Sequence, residues 1–149
     1  MPTDTPPARW FADTRIRILV AEESQSVVES EALQGNMPPL HVHHAEDEVF
    51  YVLDGRLSLL TPGGRVELAR GEAAFAPRGI PHTYRVESDT ARWLASTTTG
   101  GFAAFVAETS TPAEDAGYAP AERMPAPETL AAAAARREIE LLGPPGATP

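Results

Sequence analysis

Two histidines, His41 and His43, stand two positions apart, with Glu48 five residues further on and His82 downstream. The chain has four histidines, and three of them belong to this set. On an extended strand, positions i and i+2 face the same side, so His41 and His43 point into one space while Val42 points away. Two neutral imidazoles aimed together suit chelation of a divalent ion. Glu48 adds a carboxylate once a short turn over His44–Glu46 has returned the chain. With His82 the set becomes three nitrogens and one oxygen, leaving two positions of an octahedral metal for other ligands. A carboxylate beside a cation is ionised and takes up a proton only when its metal bond loosens.

The elements that must hold these residues read as strands. Arg15–Ala21 alternates, with Ile16, Ile18 and Val20 on the inner face. Gln25–Leu33 is β-prone without a clear facing, and Gln34-Gly35-Asn36 is a turn. Pro38-Pro39 then forces an extended approach to His41. Asp47–Leu53 and Arg56–Thr61 are strands joined at Asp54-Gly55, a dipeptide typical of tight hairpins. Arg65–Ala69 returns after Pro62-Gly63-Gly64, with Val66 and Leu68 on one face. Ala73–Ala76 and His82–Glu87 flank the loop Pro77–Pro81, and Ala91–Thr98 carries Trp93 and Leu94 on opposite faces. Short strands punctuated by Gly and Pro predict an all-β barrel or sandwich.

After Gly100-Gly101 the period changes. Phe102, Phe105 and Val106 predict one short helix, whose phenylalanines read as packing rather than as a cofactor box. Thr109–Pro127 reads as a linker. Thr129–Leu142 predicts a second helix, stopped by Gly143 and Pro144-Pro145. The expected organisation is an arm over residues 1–9, a barrel over 10–99 and a helical extension over 100–149. Trp10 and Phe11 are expected to dock on the barrel, as an edge patch or as a lid near the pocket.

Around the chelating set, Phe50 and Val52 share the face of Glu48, and Tyr84 and Val86 share the face of His82. These four are the candidate substrate-binding residues, either pocket walls or plain core. His44 is expected at the solvated surface, and Glu46 and Asp47 are expected to solvate the turn. Arg78 and Arg92 either meet an anionic substrate or stay on the surface.

Composition narrows the alternatives. The net charge of −9 argues against nucleic acid and anionic membrane surfaces as partners. There are no cysteines, so thiolate metal sites and cysteine nucleophiles are excluded. No apolar run approaches the ~20 residues of a membrane span, and no signal peptide is visible at the start, so a soluble cytoplasmic protein is expected.

The spacing resembles the cupin superfamily. Its first motif, G(X)5HXH(X)3–4E(X)6G, is met by Gly35, His41, His43, Glu48 and Gly55. Glycine spacing selects Glu48 over Asp47. Its second motif, G(X)5PXG(X)2H(X)3N, is met by Gly71, Pro77, Gly79 and His82, with Val86 in place of the final Asn. The runs PPLHVHHAEDEVFYVLDG and PRGIPHTY look like single-domain bacterial cupins described as quercetin 2,3-dioxygenase-like. The resemblance implies a jelly-roll β-barrel with His41, His43, Glu48 and His82 holding one divalent transition metal (iron, nickel, manganese, cobalt or zinc). It also implies a homodimer, with strands such as Arg15–Ala21 extending a partner's sheet. The implied activity is a dioxygenase acting on an aromatic or enolised small molecule, with Glu48 as ligand and catalytic acid/base that hydrogen-bonds or deprotonates a substrate hydroxyl. A metal-dependent cyclase, isomerase or decarboxylase would use the same ligands without dioxygen. A binding protein without turnover is the third reading. A 2-oxoglutarate oxygenase is set aside, because His43 stands where its facial triad needs a carboxylate.

Overall fold

The computed structural model describes residues 4–113 and 125–149. Among them, ten strands precede the first helix: β1 (Arg9–Phe11), β2 (Thr14–Glu22), β3 (Gln25–Leu33), β4 (Pro39–His43), β5 (Glu48–Asp54), β6 (Arg56–Thr61), β7 (Gly64–Ala69), β8 (Ala73–Ala76), β9 (Thr83–Val86) and β10 (Thr90–Thr97). Helix α1 (Gly101–Thr109), β11 (Thr111–Pro112), α2 (Pro127–Ala135) and β12 (Ile139–Pro145) follow. Among the described residues, no helix is long and apolar enough to cross a membrane.

One sheet has seven strands in the order β11-β1-β2-β3-β10-β5-β8. Two smaller sheets, β7-β6-β9 and β12-β4, complete the barrel. An antiparallel bridge between His41 and His82 joins the smaller sheets, so the pairing of two candidate ligands also closes the wall. The result is a β-jelly roll with short helices. Phe50, Val52, Leu57, Leu59, Val86 and Trp93 fill its interior, contributed by strands of both walls. Alternation explains why: β5 buries Glu48, Phe50 and Val52, while Val49 and Tyr51 face outward.

Three expectations are corrected. Asp54-Gly55 does not close a hairpin, because β5 pairs with β10 and β8 whereas β6 pairs with β7 and β9. The chain crosses from one wall to the other there. Gly55 takes φ +76, and a Cβ at this position would lie 2.3 Å from the Thr90 carbonyl oxygen, so only glycine can make the crossing.

The second helix does not run from Thr129 to Leu142. It ends at Ala135, and Ile139–Pro145 forms β12 against β4. Gly143 and Pro144-Pro145 therefore belong to a strand rather than a helix stop. Ile139 and Leu141 also alternate with period two, and the open edge of β4 offers backbone partners that a longer helix would leave unpaired.

The inner face of β2 stops early. Ile16 is buried, but a register shift between Ile18 and Val20 leaves Val20 37% exposed. On β7, Leu68 is buried and Val66, of the same parity, is exposed. The facing of β3, left open by its sequence, is set by buried Ser26, Val28, Ser30 and Ala32. Of the expected linker, residues 114–124 lie outside the described residues, as do residues 1–3 of the expected arm.

Candidate metal centre

His41 and His43 come from β4, Glu48 opens β5, and His82 immediately precedes β9. One ligand atom from each of the four lies within 4.8 Å of all the others. His82 Nε2 is 2.9 Å from Glu48 Oε2, and His43 Nε2 is 3.3 Å from the same oxygen. The His41 and His82 rings are 4.5 Å apart, and the His43 and His82 rings stack at 5.6 Å. His43, Glu48 and His82 are buried.

Each imidazole is held from behind at Nδ1. His41 Nδ1 donates to the Pro39 carbonyl at 2.8 Å, and His82 Nδ1 donates to the Ile80 carbonyl at 3.1 Å. His43 Nδ1 faces Glu46 Oε1 at 3.4 Å. Protons assigned to the three Nδ1 atoms on the strength of these acceptors leave three Nε2 lone pairs turned to one centre. The Glu48 carboxylate faces them. Lone pairs confronting one another at such distances need a positive charge between them. His43 Nε2 is buried and, although close to Glu48, makes no aligned hydrogen bond. This orphaned nitrogen and the mixed N/O donor set fit a divalent transition ion.

Without an ion, the charges adjust by protonation. Burial, helped by His82 and His43, lowers the His41 pKa to about 3. Burial also opposes charging His43, but the Glu48 and Glu46 carboxylates prevail and raise its pKa to about 9. Burial likewise opposes charge on Glu48, and His43 and His82 outweigh it, holding its carboxyl well below the usual range.

A cavity of about 60 Å³ opens onto His41, His43 and Glu48. Its walls are apolar, with Phe11, Phe50, Tyr84, Phe102, Leu130 and Leu141 among them. A second cavity of about 240 Å³ shares Phe11, Pro38, Pro39, Tyr84 and Leu130 with the first. Each alone is smaller than the ~300–1,000 Å³ of small-molecule sites, and the shared walls set them side by side. Phe50 and Tyr84 line the first cavity, in ring contact with each other at 6.0 Å. Val52 and Val86 do not line it. Both are fully buried in the barrel core, one layer further from the ligands.

Several residues take places that their sequence context left open or did not announce. Phe11 packs edge-on against Phe102 and Phe105, so the N-terminal aromatic pair divides: Trp10 is buried and Phe11 walls the cavity. Phe102 and Phe105 pack the helix and also line the cavity, and Phe102 contacts the His43 ring at 5.9 Å. Ile139 and Leu141 line it from β12.

Glu46 does not solvate the turn. It is 1% exposed and bonded to His43, Thr99 and the backbone N–H of Phe102. Its parity with Glu48 was the one available signal. Asp47 is partly exposed and bound by Arg78, which holds its carboxyl below the usual range. Arg92 lies near Glu29, and half-exposed His44 meets Glu140 at 2.8 Å, so neither of these nor Arg78 lines the cavity.

Comparison with known proteins agrees with this geometry. Residues 29–97 match the family described as the cupin domain. A quercetin 2,3-dioxygenase of Bacillus subtilis is 36% identical over 110 residues, covering 73% of this chain and 33% of that enzyme. The chain spans about a third of that relative's length, and 49% and 46% of the lengths of two further curated relatives. Among solved structures, TT1209 from Thermus thermophilus is 32% identical with a TM-score of 0.55, covering 58% of this chain and 84% of that one. KdgF from Halomonas sp. shares the fold at 18% identity and a TM-score of 0.56, over 58% of this chain and 79% of that one. The chain belongs to the cupin superfamily.

Proposed function

We propose that this cupin is a metal-dependent dioxygenase acting on an aromatic or enolised small molecule. The observation that carries the reading is the His41/His43/Glu48/His82 cluster, three of whose members line an apolar, aromatic-walled cavity. The likeness to a quercetin 2,3-dioxygenase, over a third of that enzyme's length, supports the same class.

When bound, the ion supplies the electron-transfer and Lewis-acid chemistry that dioxygen requires. The chain's own residues do the rest. Phe50, Tyr84 and Phe102 present ring faces and edges to a planar substrate. Phe11, Leu130 and Leu141 keep water out of the cavity, which strengthens every charge interaction inside it. Glu48 takes the proton of the substrate hydroxyl at Oε1, with Oε2 left toward the ring nitrogens. The resulting enolate is the electron-rich form that reacts with dioxygen.

The test is oxygen uptake by protein loaded in turn with iron, nickel, manganese and cobalt. Flavonols and simpler aromatic enols serve as substrates. Uptake matched to substrate loss is the expected result. No uptake with any of the four metals overturns the assignment. Turnover under strict anaerobiosis redirects it to a non-redox cyclase, isomerase or decarboxylase, with Glu48 as base.

A further inference from the structure

We propose that Glu46 is the positioning residue of the metal centre. In this reading, one carboxylate oxygen holds His43 in its ligating tautomer while the other anchors the start of α1. The proposal rests on the metal-binding reading above and adds a residue outside the ligand set.

Glu46 lies in the turn between β4 and β5, three residues after His43, yet it is among the most buried side chains of the protein. A buried carboxylate needs several donors. Oε1 faces His43 Nδ1, and Oε2 accepts from Thr99 Oγ1 at 3.0 Å and from the Phe102 N–H at 3.3 Å. The surrounding backbone is shaped to this end. A Cβ at Gly101 would come within 3.0 Å of Glu46 Oε1, so the glycine leaves room for the carboxylate. Thr99 sits at φ 146, a conformation side chains rarely adopt, and Thr97 Oγ1 secures its carbonyl at 2.9 Å. Its hydroxyl is thereby turned to Glu46.

A plain helix cap would explain Oε2 alone. Oε1 is the informative atom, because it accepts the Nδ1 proton of a ligand histidine whose Nε2 is buried and unpaired. An acceptor behind a ligand imidazole fixes its tautomer and orientation and raises its basicity. Phe102, held by Oε2, packs on the His43 ring, so ligand, carboxylate and helix start form one unit.

Chemistry makes Glu46→Gln a sharp probe. An amide has one oxygen. If that oxygen serves Phe102 and Thr99, the amide N–H₂ confronts Nδ1 and forces the proton onto Nε2, which then cannot ligate. If it serves His43, two N–H groups collide at α1. Both needs cannot be met.

The experiment measures cobalt(II) affinity by chelator competition, with the cobalt absorption spectrum, on the full chain. Glu46→Gln is expected to weaken binding by about 10–100-fold, whereas Thr99→Val, which spares the His43 contact, changes it by less than about 3-fold. Glu46→Gln that lowers thermal stability but leaves affinity and spectrum at parental values overturns the proposal in favour of a helix cap alone. Should that variant fail to fold, the zinc-loaded parent decides through the ¹⁵N shifts of His43. A protonated, slowly exchanging Nδ1 and a ligated Nε2 support the proposal, and ligation through Nδ1 overturns it. A parent that takes up no divalent ion overturns this proposal together with the function it rests on. A parent that binds as tightly as its folded Glu46→Gln form overturns this one alone.

Discussion

Ile139 lies opposite His43 in the β4–β12 ladder, and its side chain is packed with Phe105, Leu130, Ala133 and Ala134. The strand that carries two candidate ligands is thus tied through its neighbour to both helices. Ile139→Ala removes a side chain only 3% exposed. It is expected to cost about 2–5 kcal/mol in urea unfolding, because the cavity left between α1, α2 and β12 cannot fully collapse. A cost below about 1 kcal/mol would mean that β12 is not docked as described.

Metal should stabilise the fold, since the four ligands converge only in the native state. At a free-ion concentration near 100 times Kd the gain is about 2.7 kcal/mol. For a chain of this size that corresponds to about 5–10 °C in Tm. Chelation should remove the increment. His82→Ala should abolish it even if the substitution also lowers the metal-free baseline. Differential scanning fluorimetry with and without cobalt or zinc reads both effects.

The metal-free protein should have a pH optimum of stability set by its own histidines. His43 rises from 6.5 to about 9 on folding, so its contribution is complete below 6.5 and is lost as pH climbs through 9. His41 acts on the other side. Its pKa falls to about 3, so below 6.5 the unfolded chain takes up a proton that the folded chain refuses, and acid destabilises. Tm of chelated protein should fall in both directions from the neighbourhood of pH 6.5. His43→Asn should flatten the alkaline limb, and an unchanged limb would show that His43 does not carry it.

Two glycines with positive φ should respond differently to alanine. Gly35 has φ +85 and nothing within 4 Å of where an alanine methyl would sit, so Gly35→Ala should cost only backbone strain, about 1–2 kcal/mol. Gly55 adds a clash with the backbone at Thr90 and Ala91, so Gly55→Ala should cost more than about 3 kcal/mol or prevent folding. Equal losses in equilibrium unfolding would contradict the wall-to-wall crossing at Gly55.

The candidate ligand set was legible in the sequence because most of its pattern is local: His41 and His43 share a strand face, and glycines at fixed distances mark the turns around them. The strand facing of β5 was legible for the same reason, since Glu48, Phe50 and Val52 alternate with exposed neighbours. What could not be read was partnership. Asp54-Gly55 has the composition of a hairpin, and only the approach of Thr90 shows that it crosses between walls. Ile139–Leu142 carries both a helical and an alternating pattern, and the free edge of β4 decides between them. Glu46 sits in an acidic run that resembles any solvated turn, and its burial depends on Gly101 and Thr99, more than fifty positions away. Val52 and Val86 share a face with true cavity residues, but parity gives the side of a strand and not the depth along the barrel.

The wall holding the ligands is closed by distant pairings, His41 with His82 and Ile139 with His43. Such ladders must overcome chain-closure entropy before they return any favourable energy, so they form slowly and late in folding. The imidazoles therefore come together only as these long-range pairings close, so an ion would meet its full donor set late in folding. Until β12 arrives, β4 presents an unpaired backbone edge, and a folding chain at that stage is open to mispairing with a neighbouring molecule.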